Sequence, residues 1–223
     1  MLGLGDGPAD FSFPIPPEAP TRIEVLLDYY GVADKKLIAI APGTIWETKQ
    51  WRSEGFGEVA RHFLQKGFAV TVIGSERERA ICAAIADLAP GAVNLAGETT
   101  LSELSALISR ATICVTNDSG PMHLAVALNR PVVSIFGPTD PVWAGPYRRD
   151  GAVLRADLPC SPCYLRQLSR CPHNHDCMKD VTAAAVIERI ETALRVSTPE
   201  SRPAARPLNP ASRGSPPPVR GRG

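Results

Sequence analysis

Short apolar runs alternate with helical periodicities along the central part of the chain. Five such runs, mostly rich in Val and Ile, are of strand length and cover residues 37–41, 69–73, 92–95, 112–115 and 132–135. Between them apolar residues recur at helical spacing, as in Phe56, Val59, Ala60, Phe63 and Leu64. Strands without polar alternation are typical of parallel sheets covered on both faces. The pattern therefore predicts an α/β fold with a Rossmann-like parallel sheet and right-handed crossovers.

The two ends of the chain lack this pattern. Prolines crowd residues 1–20, and residues 197–223 are rich in proline and arginine, with Glu200 as their only acid. Neither end has enough apolar side chains to offset the entropy lost on ordering. We therefore predict a disordered linker at 1–20, one domain at 21–196 and a disordered tail at 197–223. A last helix over residues 181–195 should pack on the sheet.

Charge and composition exclude some classes of function. The formal net charge is +1 over 223 residues, and no basic stripe is interleaved with aromatic residues, so we expect no nucleic-acid partner. No apolar run approaches the ~18 residues of a membrane span, and residues 1–6 lack the features of a secretory signal. These features favour a cytoplasmic protein.

Small and polar residues follow the ends of the later strands. Residues 116–123 predict a strand, a tight turn and a helix with Pro121 at its start. Gly120 is expected to provide positive φ and a close backbone approach. The exposed N–H groups and dipole of this helix would favour a phosphate, although a plain loop has the same pattern. The next strand ends in Gly-Pro-Thr at 137–139, which would reach the same ligand-binding edge.

Three further loops should reach this edge. Lys49 follows the first strand and is placed to neutralise a phosphate, although a lysine in such a loop is usually only solvated. Glu76 follows the second strand, where a carboxylate commonly accepts hydrogen bonds from ribose hydroxyls, or is favoured there by the helix dipole. Glu98 is an alternative ribose ligand or a solvated loop acid. Trp51 is expected to pack the loop down rather than stack on a base.

Taken together, residues 117–125 and 136–139 closely resemble the nucleotide-sugar half of glycosyltransferase family 9, the lipopolysaccharide heptosyltransferases. The resemblance extends from about residue 36 to about residue 194. It implies the C-terminal domain of a GT-B glycosyltransferase, in which two Rossmann-like domains face each other across a cleft. It also implies inverting transfer of heptose from ADP-heptose to the lipopolysaccharide inner core, without a cofactor.

The resemblance assigns roles to individual residues of the loops. It implies that Lys49 and His123 lie against the nucleotide diphosphate and that Thr44 offers a hydroxyl nearby. Thr99 would lie beside the adenine through its backbone. The general base of the family is an aspartate in the N-terminal domain. Because we expect that domain to be missing from this chain, the catalytic residues stay unknown.

The turn before the Pro121 helix has three further candidates. Ser119 and Gly120 would meet the phosphate through a hydroxyl and a backbone N–H. Asp118 would be repelled by a diphosphate, so we expect it to face the sugar hydroxyls.

The resemblance implies that the acceptor is the lipopolysaccharide core, bound through the missing half. Binding of this acceptor leaves open a peripheral association of the protein with the inner face of the inner membrane.

Other functions remain open at this stage. A donor-binding fragment or pseudo-enzyme that is inactive alone would carry the same motifs, and so would a nucleotide-sugar epimerase of similar fold. A Rossmann oxidoreductase is disfavoured because no Gly-x-Gly-x-x-Gly follows the first strand.

Six cysteines divide into two groups. Cys82 and Cys114 lie in apolar patterns and should be buried thiols. The others have a spacing compatible with a tetrahedral metal site, and they are Cys160, Cys163, Cys171 and Cys177. Similar segments recur in family 9 enzymes whose chemistry requires no metal, and cysteines in a reducing compartment rarely form disulfides. We therefore expect a reduced, metal-free segment that caps the sheet near the last helix.

Overall fold

Six strands and eight α-helices alternate along residues 13–196, the part of the chain that the computed structural model describes. The strands are β1 Leu37–Ala41, β2 Ala69–Val72, β3 Val93–Asn94, β4 Ile113–Asn117, β5 Val132–Phe136 and β6 Val153–Arg155. The helices are α1 Glu18–Tyr29, α2 Ser53–Gln65, α3 Arg79–Leu88, α4 Leu101–Arg110, α5 Gly120–Ala127, α6 Pro141–Ala144, α7 Asp176–Lys179 and α8 Ala183–Val196. The predicted tail at 197–223 and most of the predicted linker fall outside the described residues.

The strands form one parallel sheet in the order β3-β2-β1-β4-β5-β6. Ile38 in β1 is paired with Val70 in β2 on one side and with Ile113 in β4 on the other. The chain moves outward from β1 to β3 and then returns to the far side of β1, so the order reverses between β1 and β4. Such a switch point opens a crevice at the carboxyl ends of the strands. The predicted Rossmann-like α/β fold is confirmed.

Both faces of the sheet are covered by helices. One core contains Phe56, Phe63 and Ile190 from α2 and α8, and the other contains Ile23 and Leu107 from α1 and α4. Every residue of β1, β2, β4 and β5 is buried, which explains the absence of polar alternation in their sequences. Among residues 13–196, no helix combines the length and apolar character that a bilayer crossing requires.

Four of the strands and α-helices were not predicted: helix α1, strand β6 and the one-turn helices α6 and α7. Helix α1 begins at Glu18, before the predicted boundary at residue 21, and buries Ala19 and Ile23. The described prolines of this region precede the helix, with Pro17 at its N-cap, except Pro20, which lies in its first turn, where a missing N–H costs no intrahelical bond. Strand β6 has three half-buried residues at the sheet edge, too few for a recognisable pattern.

Candidate functional site

A cavity of ≈ 600 Å³ lies at the carboxyl ends of β1, β2 and β4. Its size is that of a site for a nucleotide-sized ligand. Seven of the eight predicted donor-binding residues line it, namely Thr44, Lys49, Thr99, Asp118, Ser119, Gly120 and His123. We call the side formed by residues 42–52 and 118–123 the lysine wall, and the side formed by residues 73–78 and 97–104 the glutamate wall. Glu76 is not among the lining residues.

Lys49 is the central cation of the lysine wall. Its Nζ lies 2.7 Å from Asp118 Oδ2, and the two side chains are only 15% and 5% exposed. The Thr139 hydroxyl donates to the same Asp118 oxygen at 2.6 Å, and Lys49 Nζ also lies 4.3 Å from the centre of the Trp46 ring. Asp118 therefore orients Lys49 toward the cavity, and its predicted contact with sugar hydroxyls stays a prediction.

Buried hydrogen bonds fix the loop that carries Lys49. The Asn117 side chain, at the end of β4, donates to Pro42 O at 2.7 Å and accepts from the Trp51 backbone N–H at 3.2 Å. The Trp51 ring is fully buried, and its Nε1–H donates to Val181 O at 2.9 Å. Trp51 thus packs the loop down, as predicted, and a fully buried amide joins β4 to both ends of the loop.

The start of α5 completes the lysine wall. Ser119 has extended backbone angles and its hydroxyl donates to Asn117 O at 3.3 Å, while the exposed His123 lies in the first turns of the helix. The prediction of positive φ at Gly120 is wrong, because Gly120 is not among the glycines in the left-handed region. The extended Ser119 makes the turn instead. A Cβ at residue 120 would meet no atom within 4 Å, so this glycine leaves open space at the helix start.

On the glutamate wall the acid that lines the cavity is Glu78, and the predicted ribose contact of Glu76 stays a prediction. A 3-10 turn over Glu76–Glu78 directs Glu76 outward, where its side chain is 72% exposed and bonds Arg79 Nε at 2.5 Å. That hydrogen bond lowers the pKa of Glu76. Glu78 lines the cavity instead, and its Oε2 accepts from the Ser75 N–H at 2.6 Å and hydroxyl at 2.7 Å. The Ser-x-x-Glu spacing of this capping box was a visible signal for Glu78.

Glu78 also lies against the lysine wall. A Cβ built on Gly43 would come within 1.7 Å of Glu78 Oε1. A side chain at residue 43 would therefore require the Glu78 carboxylate, the end of a flexible side chain, to move. With glycine at 43 the two walls approach each other while Glu78 stays bonded to Ser75.

The remaining part of the glutamate wall follows β3. Thr99 lines the cavity beside the apolar side chains of Ile73, Leu101 and Leu104. Its neighbour Thr100 caps α4, as predicted from the capping-box spacing: its hydroxyl accepts from the Glu103 N–H at 3.3 Å, while Glu103 Oε2 accepts from the Thr100 N–H. This part of the glutamate wall therefore offers apolar side chains to the cavity, and its backbone is held by hydrogen bonds within the Thr100 turn.

A second cavity, of ≈ 180 Å³, lies in the segment 157–180, which we call the Cys-rich segment. Its lining includes all four clustered thiols, Cys160, Cys163, Cys171 and Cys177. Burial, followed by the neighbouring thiols, raises the pKa of Cys177 to about 11. In residues 13–196 no group of three or more His, Cys, Asp or Glu side chains is arranged to hold a metal ion. The metal content of the segment stays a prediction.

The other two cysteines are buried, as predicted. Cys82 packs in one core and Cys114 in the other, and both thiols are free. Burial raises the pKa of each thiol to about 12.

Comparisons with known proteins agree with this geometry. The family model of glycosyltransferase family 9 (heptosyltransferase) matches residues 17–173. Lipooligosaccharide heptosyltransferase 2 of Campylobacter jejuni serotype O:6 is 33% identical over 172 residues, which are 74% of this chain and 52% of the relative. The corresponding enzyme of Haemophilus influenzae is 29% identical over 169 residues, which are 73% and 49% of the two chains.

A solved structure gives the same result. The Escherichia coli ADP-heptose lipopolysaccharide heptosyltransferase II superposes with a TM-score of 0.67 at 25% identity, covering 82% of this chain and 53% of that one. The chain thus spans about half the length of the relatives it matches. The family resemblance seen in the sequence and its GT-B fold class are confirmed. This chain belongs to glycosyltransferase family 9, the heptosyltransferase family.

Proposed function

We propose that this chain is the donor-binding part of an inverting heptosyltransferase that transfers heptose from ADP-heptose to the inner core of lipopolysaccharide. One observation carries the proposal: residues from four separate loops meet in a single cavity at the switch point of the sheet, around the nearly buried Lys49. The two relatives described above are named lipooligosaccharide heptosyltransferases, and the Escherichia coli enzyme is named for ADP-heptose and lipopolysaccharide.

The two walls of the cavity suit the two ends of such a donor. On the glutamate wall, Ile73, Leu101 and Leu104 offer an apolar surface for the adenine ring. Across the cavity, Lys49 and the open space at Gly120 are suited to the diphosphate. This arrangement supports a nucleoside diphosphate with its base on one wall and its phosphates on the other.

Transfer would proceed by attack of an acceptor hydroxyl oxygen on the anomeric carbon, as the bond to the ADP oxygen breaks. Negative charge then develops on the leaving diphosphate, where Lys49 is placed to stabilise it. The acceptor proton needs a base. Both carboxylates that line the cavity are engaged, Asp118 with Lys49 and Thr139, and Glu78 with Ser75. We therefore assign the base to the N-terminal domain of a complete enzyme, with lipopolysaccharide bound on the cytoplasmic side of the inner membrane.

Calorimetry with ADP tests the binding proposal. We expect saturable binding by this chain alone, with a Kd of roughly ten micromolar to one millimolar, because a site without its closing domain loses contacts. No heat and no NMR shift at roughly 5 mM ADP, well above that range, would contradict it.

A radiolabelled-donor assay tests the division of labour. The chain alone should not transfer heptose to a lipopolysaccharide acceptor, since a positioned base contributes about 100- to 10,000-fold and is missing here. Adding an N-terminal domain from a relative should restore transfer. Rapid transfer by the chain alone would mean that the base lies within this chain.

A further inference from the structure

The Cys-rich segment is bonded to the loop that carries Lys49. The His175 ring Nε2 lies 2.7 Å from Thr48 O, and the Leu168 N–H donates to Glu47 Oε2 at 3.0 Å. The Thr48 hydroxyl also donates to Leu165 O. These bonds join parts of the chain that are more than 100 residues apart, and they converge on two consecutive residues, Glu47 and Thr48, immediately before Lys49. The convergence links the Cys-rich segment to the donor cavity.

These bonds act on the peptide group that immediately precedes the Lys49 Cα. Thr48 is 2% exposed although its neighbour Glu47 is exposed, so the Cys-rich segment covers this one residue of the turn. The Thr48 carbonyl lies in the peptide plane that also contains the Lys49 nitrogen and Cα. Because peptide groups are planar, holding that carbonyl limits the direction in which the Lys49 side chain leaves the backbone.

A cation on the Cys-rich segment adds a contact on the same side. The Arg166 guanidinium lies 4.6 Å from the centre of the Trp46 ring, the ring that Lys49 Nζ approaches to 4.3 Å. Trp46 lines the cavity and is thereby held between a residue of the site and a residue of the Cys-rich segment.

His175, whose ring contacts the Thr48 carbonyl, has unusual backbone angles. Its φ of 64° and ψ of 29° are left-handed, and Asn174 before it has a φ of 49°. Its N–H donates to Cys171 Sγ at 3.4 Å, and its carbonyl accepts from the Met178 N–H at 3.1 Å. Left-handed angles are costly for residues other than glycine and persist where surrounding contacts fix them. Here the thiol cluster and the start of α7 fix the backbone from which the ring reaches Thr48.

We propose that His175 is a positioning residue for Lys49, and that the Cys-rich segment braces the lysine wall through it. The carbonyl of Thr48 can only accept, so the His175 Nε2 carries the hydrogen and donates it. This inference rests on the proposed function in one respect: the Lys49 that is braced is the one assigned to the donor diphosphate. It adds a residue outside the cavity lining to the binding machinery.

Two variants of residue 175 separate the hydrogen bond from the backbone strain. His175→Ala removes the donor, whereas His175→Gln places an amide N–H near the position of Nε2, and both keep a left-handed non-glycine residue. His173→Ala is the matched control, a histidine of the same segment with no hydrogen bond to residues 47–49 among the described contacts.

Calorimetry with ADP and AMP gives the first readout. His175→Ala should raise the Kd of ADP about two- to tenfold, the range for loss of one hydrogen bond, and change that of AMP less than about twofold. His175→Gln should return the ADP value to within about twofold of the unsubstituted chain, and His173→Ala should match it. Equal losses for ADP and AMP, or no recovery with Gln, would overturn the proposal.

Hydrogen exchange gives a second readout that needs no ligand. Amides of residues 44–50 should exchange faster in His175→Ala than in His175→Gln or His173→Ala, with residues 93–104 unchanged. Unaltered exchange at 44–50 would refute the brace even if ADP binds. Failure of the unsubstituted chain to bind ADP, together with the expected exchange pattern, would refute the donor site and leave the brace intact.

A third variant covers the case in which His175→Ala does not fold. Glu47→Ala removes only the bond from Leu168, on an exposed side chain. It should speed exchange at 44–50 and weaken ADP more than AMP, by no more than about threefold. Normal exchange and normal ADP binding in this variant would also overturn the brace.

Discussion

The lysine wall is buried and bonded to distant parts of the chain, whereas the glutamate wall is bonded mostly to itself. Lys49 and Asp118 form a nearly enclosed ion pair, and the loop around them is held from β4, from the Cys-rich segment and from Val181. Across the cavity, Glu78 and Thr100 make bonds to residues three positions away, on exposed turns.

This difference matches two tasks in ligand binding. A diphosphate has fixed geometry and charge, so a cation that is already oriented avoids the entropy cost of ordering a flexible side chain on binding. Exposed turns held by local bonds open more easily than buried ones, and they can adjust to a base or a sugar. We therefore propose that the lysine wall sets the position of the diphosphate and that the glutamate wall adapts to what is attached to it.

The largest expected effect is on the stability of the lysine wall. Trp51→Ala should lower the free energy of unfolding by about 3 to 5 kcal/mol, because it empties a fully buried site and removes the bond to Val181. Urea denaturation measures this change. Trp143→Ala, at a side chain 86% exposed, is the control and should stay within about 0.5 kcal/mol. A loss below about 1 kcal/mol for Trp51→Ala would show that this wall is not rigidly packed.

The second-largest expected effect is a loss of ADP binding when the cation of the lysine wall is removed. Lys49→Ala should raise the Kd of ADP by about tenfold or more, because a charge-assisted bond is worth roughly 1.5 to 3 kcal/mol, while AMP lacks the outer phosphate and should lose less. Calorimetry with both ligands decides it, and the exposed Lys35→Ala is a control of equal charge. Equal losses for ADP and AMP would place Lys49 away from the outer phosphate.

A smaller effect should distinguish the two acids of the glutamate wall. Glu78→Ala should raise the Kd of ADP about two- to fivefold, because it removes the carboxylate that lines the cavity and caps the Ser75 turn. Glu76→Ala, directed to solvent, should change it less than about twofold. The reverse order in calorimetry would support Glu76 as the ribose ligand.

The smallest change concerns a thiol behind the lysine wall. Because the pKa of Cys177 is raised to about 11, its thiol loses its proton at a higher pH than an ordinary thiol. The thiolate is the reactive form, so the rate of its alkylation by iodoacetamide should keep rising with pH up to about 11. The exposed Cys163 should react faster at pH 8. Mass spectrometry of labelled peptides measures both rates.

We also expect no metal in the purified chain. One zinc or iron per chain in elemental analysis would contradict that expectation.

The sequence predicted what short-range physics determines. The strands followed from unbroken apolar runs, and the Thr100 cap followed from its spacing to Glu103. The same capping-box spacing is present between Ser75 and Glu78 and could have indicated Glu78. Glu76 was predicted as the ribose ligand because of its position after β2. Which of two nearby acids faces a cavity depends on the rotation of a single 3-10 turn.

Contacts between distant segments could not be predicted in this way. Nothing in the neighbourhood of Asn117 indicates that its amide joins Pro42 to Trp51, since both partners come from a loop more than 60 residues earlier. The bond from His175 to Thr48 is equally hidden. The candidate residues of the lysine wall were nevertheless found, because the carboxyl ends of parallel strands bring their loops to one edge whatever the details of those bonds.

The approach of Glu78 to Gly43 makes these two positions dependent on each other as the sequence changes. With the Glu78 carboxylate in its present position, a side chain at 43 would collide with it, so a substitution of Gly43 requires that carboxylate to move. A small residue at 78 would remove the collision. The cost of substituting Gly43 should therefore depend on which residue stands at 78, and a substitution on one wall changes what the other wall tolerates.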